Sequence, residues 1–252
     1  MTKRLLILGG TAEAVEVADQ AMARFGAALD ITSALAGRTK APRTPMGRVR
    51  IGGFGGVDGL VDYLRAETID LVIDATHPFA ATISYHAAEA CAAAKIARLV
   101  FTRPRWAMSQ SDRWQNVPNN EVAAATIETM NARRVFLSIG GRGLQPFARL
   151  VDRFFLVRMI EPPVRPLELR DYRLLLARGP FSVEAERALM AEDRIDLLVS
   201  RASGGQATEA KLIAARALGL PVVLIDRPAP PTGEAVDSVE AALGWLAARL
   251  RG

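Results

Sequence analysis

Leu5-Leu6-Ile7-Leu8 is an unbroken apolar run that stops at Gly9-Gly10-Thr11. Val15, Ala18, Met22 and Phe25 then recur at helical spacing up to Gly26. The run predicts a short buried strand, the spacing a helix packed by one face, and Gly26 the end of that helix. The same alternation continues. A strand over residues 28–33 leads into Gly37-Arg38-Thr39, and Pro42 and Pro45 mark a loop. Val49-Arg50-Ile51 predicts a third strand running into Gly52-Gly53-Phe54-Gly55-Gly56, followed by a helix through Leu60, Val61 and Leu64. Leu71 to Asp74 is the next strand. Phe79, Ile83, Ala87, Ala90 and Ala94 then form one helical face, and a strand follows over residues 98–102.

Residues 103–120 interrupt this rhythm with Pro104, Trp106, Trp114 and Pro118, and read as a long loop. A second series begins beyond it. Residues 135–139 lead to Gly140-Gly141-Arg142-Gly143, strands follow at 154–157 and 174–177, residues 197–200 lead to Ser203-Gly204-Gly205, and 222–225 closes the set. Arg178-Gly179-Pro180-Phe181, ahead of Glu184 and Glu186, looks like one more strand-to-helix turn. Asp237 and Glu240 have capping-box spacing for a last helix, whose stripe of Val239, Leu243, Leu246 and Leu250 is expected to pack on its own domain. Strands alternating with helices predict an α/β protein of two doubly wound, mainly parallel Rossmann-like domains, residues 1–132 and 133–252, with a cleft between them.

Composition narrows the setting. With 252 residues, half of them hydrophobic, the chain can bury one large core or two of roughly 100–130 residues. No apolar run approaches the roughly 18 residues of a membrane span. Cys91 is the sole cysteine, so an internal disulfide and a cysteine-based zinc site are both excluded, and a cytoplasmic setting without a metal is expected. The 32 basic residues exceed the 27 acidic ones, and only Lys3, Lys40, Lys95 and Lys211 are lysines. Arginine forks match carboxylates and phosphates, which suits an anionic ligand; an arginine-rich composition alone gives the same count. The arginines are spread along the chain with no basic block interleaved with aromatics, so nucleic acid is not the expected partner.

The candidate chemistry lies in the turns at strand ends, where open parallel sheets bind ligands. Gly9, Gly10 and Thr11, with Glu13 just inside the helix, offer open backbone N–H groups at the positive end of a helix, a place for phosphate or simply a tight turn. After the second strand no acidic residue awaits an unphosphorylated ribose; Ser33, Gly37, Arg38 and Thr39 stand there instead, favouring NADP over NAD unless Arg38 is only a solvated loop residue. Four glycines within residues 52–56 require either left-handed backbone or the close passage of a ligand past Gly53, Phe54 and Gly55. Asp74-Ala75-Thr76-His77-Pro78-Phe79-Ala80 brings a carboxylate, a hydroxyl and one of two histidines to one strand end. His77 is a proton donor or a hydrogen-bond partner of a ring; alternatively Thr76 caps the helix and Pro78 occupies its first turn. His86, further along that helix, reads as structural. In the second half Arg142, Arg201, Ser203, Gly204 and Gly205 form a second anion-binding candidate.

These residues resemble a family. Residues 6–14, Ala36-Gly37-Arg38-Thr39, Gly52 to Gly56, Asp74 to Ala80, Arg103-Pro104-Arg105-Trp106, Arg178 to Phe181 and Ser203-Gly204-Gly205 with Lys211-Leu212 are similar to precorrin-6A reductases over nearly the whole chain. The family often has lysine at the position of Arg201. The resemblance implies NADPH-dependent reduction of a double bond in a corrin precursor, precorrin-6A to precorrin-6B, within cobalamin biosynthesis. A tetrapyrrole bearing several carboxylates suits arginines, and hydride chemistry leaves the protein the tasks of placement, water exclusion and one proton, whose source is His77, Asp74 or solvent, with His77 and Asp74 as the candidate catalytic residues. On this reading residues 1–132 bind the cofactor and 133–252 face the substrate. Gly9, Gly10 and Thr11 take the phosphates, Ser33, Arg38 and Thr39 the ribose phosphate, and Asp74, Thr76 and His77 the nicotinamide neighbourhood. Arg142, Arg201, Ser203 and Gly204 meet the macrocycle. A monomer or small homo-oligomer is expected. Two other classes fit the pattern of turns: a nucleotide-sugar glycosyltransferase-like enzyme, and a non-catalytic NADPH-sensing module.

Overall fold

The computed structural model describes residues 2–37 and 44–251. In chain order the elements are β1 (Lys3–Leu8), α1 (Ala12–Phe25), β2 (Leu29–Leu35), β3 (Arg48–Ile51), α2 (Val57–Ala66), β4 (Leu71–Asp74), α3 (Ala81–Ala94) and β5 (Ala97–Phe101). There follow β6 (Trp114–Val117), α4 (Asn120–Thr129), β7 (Arg134–Ser138), β8 (Phe154–Met159), β9 (Asp171–Leu176), α5 (Val183–Glu192) and β10 (Leu197–Arg201). The chain ends with α6 (Ala210–Ala217), β11 (Val222–Ile225), β12 (Glu234–Val236) and α7 (Val239–Leu250). The strands form two six-stranded sheets, ordered β12-β5-β4-β1-β2-β3 and β6-β11-β10-β7-β8-β9, and every neighbouring pair is parallel.

The first sheet is buried on both faces, which is why its strands read as continuous apolar runs rather than as alternations. Leu5 and Ile7 of β1 join a core with α1 and α7, built on Val17, Ala18, Ala21, Leu243 and Leu246. Leu6 and Leu8, the alternate positions, join the opposite core with α2 and α3, built on Leu60, Leu64, Ala87 and Cys91. In the second sheet Phe136, Leu156, Leu198 and Leu224 pack with Met190 of α5 and Leu212 of α6. Phe147 and Phe155 meet edge to face at 6.3 Å.

The division of the chain differs from the predicted one. One unit comprises residues 1–103 together with 228–252, and the other residues 104–227. A single break at 132/133 fails because two edge strands lie on the far side of it. β6 pairs with β11, Trp114 beside Val222, and β12 pairs with β5, Glu234 beside Leu99. Residues 103–120, expected to be a loop, therefore contain a strand. The α7 stripe packs on the core of the first unit rather than on that of the second. Its cap is Ser238, whose hydroxyl accepts from Ala241 N–H at 3.3 Å; Asp237 does not form the predicted capping box, and Glu240 pairs with Arg24 at 2.9 Å.

Candidate functional site

In a doubly wound sheet the crevice for a ligand opens where the strand order reverses. In the first unit that point lies between β1 and β4, and in the second between β7 and β10. The Gly9–Thr11, Asp74–His77, Gly140–Gly143 and Arg201–Gly205 turns follow these strands, while Gly37 follows β2 and Gly52 to Gly56 follow β3.

After β1, Thr11 caps α1. Its hydroxyl accepts from Ala14 N–H at 3.1 Å and donates to the Ala75 carbonyl at 2.8 Å, stitching the β1 turn to the β4 turn. The hydroxyl is thus committed to the fold, and what the turn presents is backbone. Gly10 has φ +101 and nothing within 4 Å of where a Cβ would stand, an exposed cradle at the positive end of a 14-residue helix. Glu13 does not stand free in that helix's first turn: it pairs with Arg103 at 2.6 Å, both side chains largely buried.

After β4, Asp74 is 2% exposed. Its Oδ1 accepts from Thr76 N–H at 3.2 Å and from Thr76 Oγ1 at 2.7 Å, while Oδ2 has no hydrogen bond among the described residues. Thr76 Oγ1 also lies 3.1 Å from Ser84 Oγ. The capping alternative fails here. α3 starts later, at Ala81, with Ala80 as its cap and no side-chain cap, so Thr76 serves Asp74 instead. His77 Nδ1 accepts from Phe79 N–H at 3.2 Å, and the two rings are 5.9 Å apart. An accepting Nδ1 places the proton on Nε2.

Between β3 and α2, Gly52, Gly55 and Gly56 have φ of +116, +83 and +99, so the left-handed backbone accounts for three of the four glycines. Positions 52, 53, 55 and 56 all face open space. Arg50 braces the turn, donating to the Gly52 carbonyl at 2.7 Å and the Gly53 carbonyl at 2.9 Å, with its guanidinium 4.0 Å from the Phe54 ring centre. Ser33 is not brought to this group. It sits two positions short of the end of β2, 2% exposed and inside the sheet, so its hydroxyl is withdrawn from the predicted set. Gly37 is described, with φ +69; Arg38 and Thr39 lie outside the described residues.

In the second unit the structure brings the β7 and β10 turns together. Arg201 Nη2 donates to the Arg142 carbonyl at 3.2 Å, and burial together with the neighbouring Arg142 charge pulls the Arg201 guanidinium below its ordinary value. Arg142 is exposed, while Ser203 and Gly204 are buried. Gly204 and Gly205 take successive left-handed conformations, φ +68 and +80.

Four residues carry this scaffold without having been assigned a part in it: Arg50, Arg103, Trp106 and Lys211. The last three lie in stretches that resemble the family, and Arg50 precedes the glycine turn, which is the signal that could have marked it. Among the described residues no group of His, Cys, Asp and Glu could hold a metal ion, and no helix is long and apolar enough to cross a membrane.

The family model described as precorrin-6x reductase CbiJ/CobK matches residues 4–247. The precorrin-6A reductase of Rhodobacter capsulatus is 46% identical over 244 residues, which span 97% of this chain and 96% of that protein. The precorrin-6A reductase of Rhodococcus erythropolis is 47% identical, over 96% and 97% of the two chains. A solved structure titled CobK precorrin-6A reductase superposes with a TM-score of 0.91 at 45% identity, covering 98% of this chain and 97% of that one. The chain belongs to the precorrin-6x reductase family, reductases of cobalamin biosynthesis.

Proposed function

We propose that the chain reduces precorrin-6A to precorrin-6B, with NADPH as the hydride source. The observation that carries the cofactor half is the β1–β4 switch point, where the open Gly10 cradle, the α1 N-terminus and the Asp74–His77 turn are tied together by the Thr11–Ala75 hydrogen bond. Backbone N–H groups of Gly10 and Thr11 would receive a pyrophosphate, and the open face of Gly53 to Gly55 lets a ligand pass the backbone closely. Arg38 and Thr39 would read the ribose phosphate. NADPH, when bound, supplies the hydride.

The remaining tasks belong to side chains. Asp74 fixes Thr76 through Oδ1, and its buried Oδ2 is an acceptor whose lack of a partner a ligand amide donor would relieve. His77, whose Nδ1 accepts from Phe79 N–H, offers Nε2–H as a donor to the ligand. Solvent is taken as the proton source, with His77 and Asp74 the alternatives that the pH profile tests. Arg142, Arg201, Ser203 and Gly204 would meet acetate or propionate groups of the macrocycle.

Anaerobic oxidation of NADPH, followed with precorrin-6A and its cobalt complex side by side, tests the reaction. Consumption of NADPH with the cobalt-free substrate is expected, and equal rates with NADH would remove the phosphate-reading role of Arg38. A glycosyltransferase-like protein would leave NADPH fluorescence unchanged on mixing, and a sensor would bind NADPH without oxidising it. For His77, the glutamine variant should keep more activity than the alanine variant, and neither should change the slope of the pH profile. A lost slope would make His77 the acid.

A further inference from the structure

Trp106 and Lys211 both attach to the turn that follows β10. The Trp106 indole N–H donates to the Gly205 carbonyl at 2.9 Å, and the Gly205 N–H donates back to the Pro104 carbonyl at 3.4 Å, so residues 104–106 strap the Gly205 peptide from both sides. Thr208 Oγ1 donates to the Gly204 carbonyl at 3.3 Å. Lys211 Nζ donates to the Thr208 carbonyl at 2.6 Å and stands 5.2 Å from the centre of the Trp106 ring. Each carbonyl oxygen of the two left-handed glycines, groups that would repel a carboxylate, is therefore held by a donor.

Lys211 has little other reason to be where it is. It is 5% exposed, in the same interior as Arg158 at 8% and Glu186 at 2%, which pair with each other at 2.5 Å. Burying an ammonium is costly unless it is fixed by partners. Besides the attraction of the Glu186 carboxylate, its contacts here are the Thr208 carbonyl and the Trp106 indole face.

We propose that Trp106 and Lys211 are positioning residues for the tetrapyrrole, locking the Ser203-Gly204-Gly205 turn in the shape that receives one of its carboxylates. This rests on the reading of that turn as substrate-facing. The charges facing Lys211 are Arg158 of β8 and Glu186 of α5; burial first, then Arg158, against the pull of Glu186, push Lys211 down to about 7. The ammonium over the indole thus fades as pH rises through neutrality, and the Trp106 emission should follow it.

The experiment compares the full-length chain with its W106F, K211M, K211R and S203A variants in steady-state kinetics with precorrin-6A and NADPH, after circular dichroism has shown each to be folded. W106F removes the indole donor and keeps an aromatic ring. It should raise KM for precorrin-6A about tenfold while leaving KM for NADPH within about twofold; K211M should do the same, and K211R should restore part of the loss. Tryptophan emission of the wild type should shift with a midpoint near pH 7, and the shift should be missing in K211M and W106F. If K211M does not fold, W106F decides alone. An unchanged precorrin-6A KM in W106F, or equal rises in both KM values, overturns the positioning role. If S203A raises the precorrin-6A KM while W106F does not, only the positioning role falls; if neither moves it, the substrate-facing reading of the turn falls with it.

Discussion

Thr11 shows how one side chain sets a site by being unavailable to it. Its hydroxyl caps α1 and holds the Ala75 carbonyl, which is buried with its residue at 2% exposure. Thr11→Val keeps the volume, loses the cap and orphans the carbonyl, and should destabilise the fold by about 2–3 kcal/mol, measurable as a lowered urea midpoint, with weaker NADPH binding beside it. Lys211 gives a pH signature with the same sign as an acid-sensitive carboxylate, but in a window near and above neutrality. Its folded pKa, about 7, lies below the ordinary lysine value, so between about pH 7 and 10 the unfolded chain binds the extra proton. Stability from this residue accordingly increases as pH rises through that window and is lost as pH falls back toward 7. The Tm advantage of the wild type over Lys211→Met should grow between pH 7 and 9.5, and a constant difference would show that Lys211 stays charged.

At the scale of elements, the glycine turn after β3 depends on a residue outside it. Arg50 holds the carbonyls of Gly52 and Gly53 and lies over Phe54. Arg50→Ala should leave the core intact, since its cost is two partly exposed hydrogen bonds and cation–π contacts to Phe54 and Tyr63 worth about 1 kcal/mol, yet it should raise KM for NADPH several-fold without moving that for precorrin-6A. Isothermal titration with NADPH checks the same claim. The buried parallel strands were readable because burial on both faces makes them apolar throughout: β4 occurs as predicted, over Leu71–Asp74, and β1, β7, β10 and β11 within two residues. β6 was not readable. It is an edge strand, Trp-Gln-Asn-Val, with only Val117 fully buried, and its pairing partner lies more than 100 residues away. β12 has three residues and no buried one. The cap of α7 was misplaced by one residue because Asp237 and Ser238 are both good caps, and only the backbone geometry separates them. In the candidate site, the glycine turns and the Asp74 to His77 stretch stand out by composition alone. The burial of Ser33 was not, because a hydroxyl two residues inside a strand and one at its end look alike in sequence.

At the scale of the molecule, the two sheets share one plan, and the closing strand–helix pair occupies equivalent places in both: β12 with α7 beside β5, and β6 with α4 beside β11. The pair comes last in one unit and first in the other, as in a circular permutation. A chain ending at residue 227 should therefore lose the wrong unit for a C-terminal truncation. It removes Leu243, Trp245 and Leu246 from the core of the first unit and uncovers Ala18 and Ala21 of α1. We expect this fragment to be aggregation-prone or protease-sensitive within residues 1–103, while residues 104–227 resist; limited proteolysis with mass spectrometry would show which half is cut. The same arrangement bears on how the protein is made. Domains commonly fold in order as they leave the ribosome, at about 5–20 residues per second. Here residues 1–103 wait while roughly 130 further residues are added, on the order of ten seconds at that rate, before β12 exists. The half that starts earlier is thus the half that is completed later, after the whole of residues 104–227, and its bare α1 face is what a nascent-chain chaperone would have to shield.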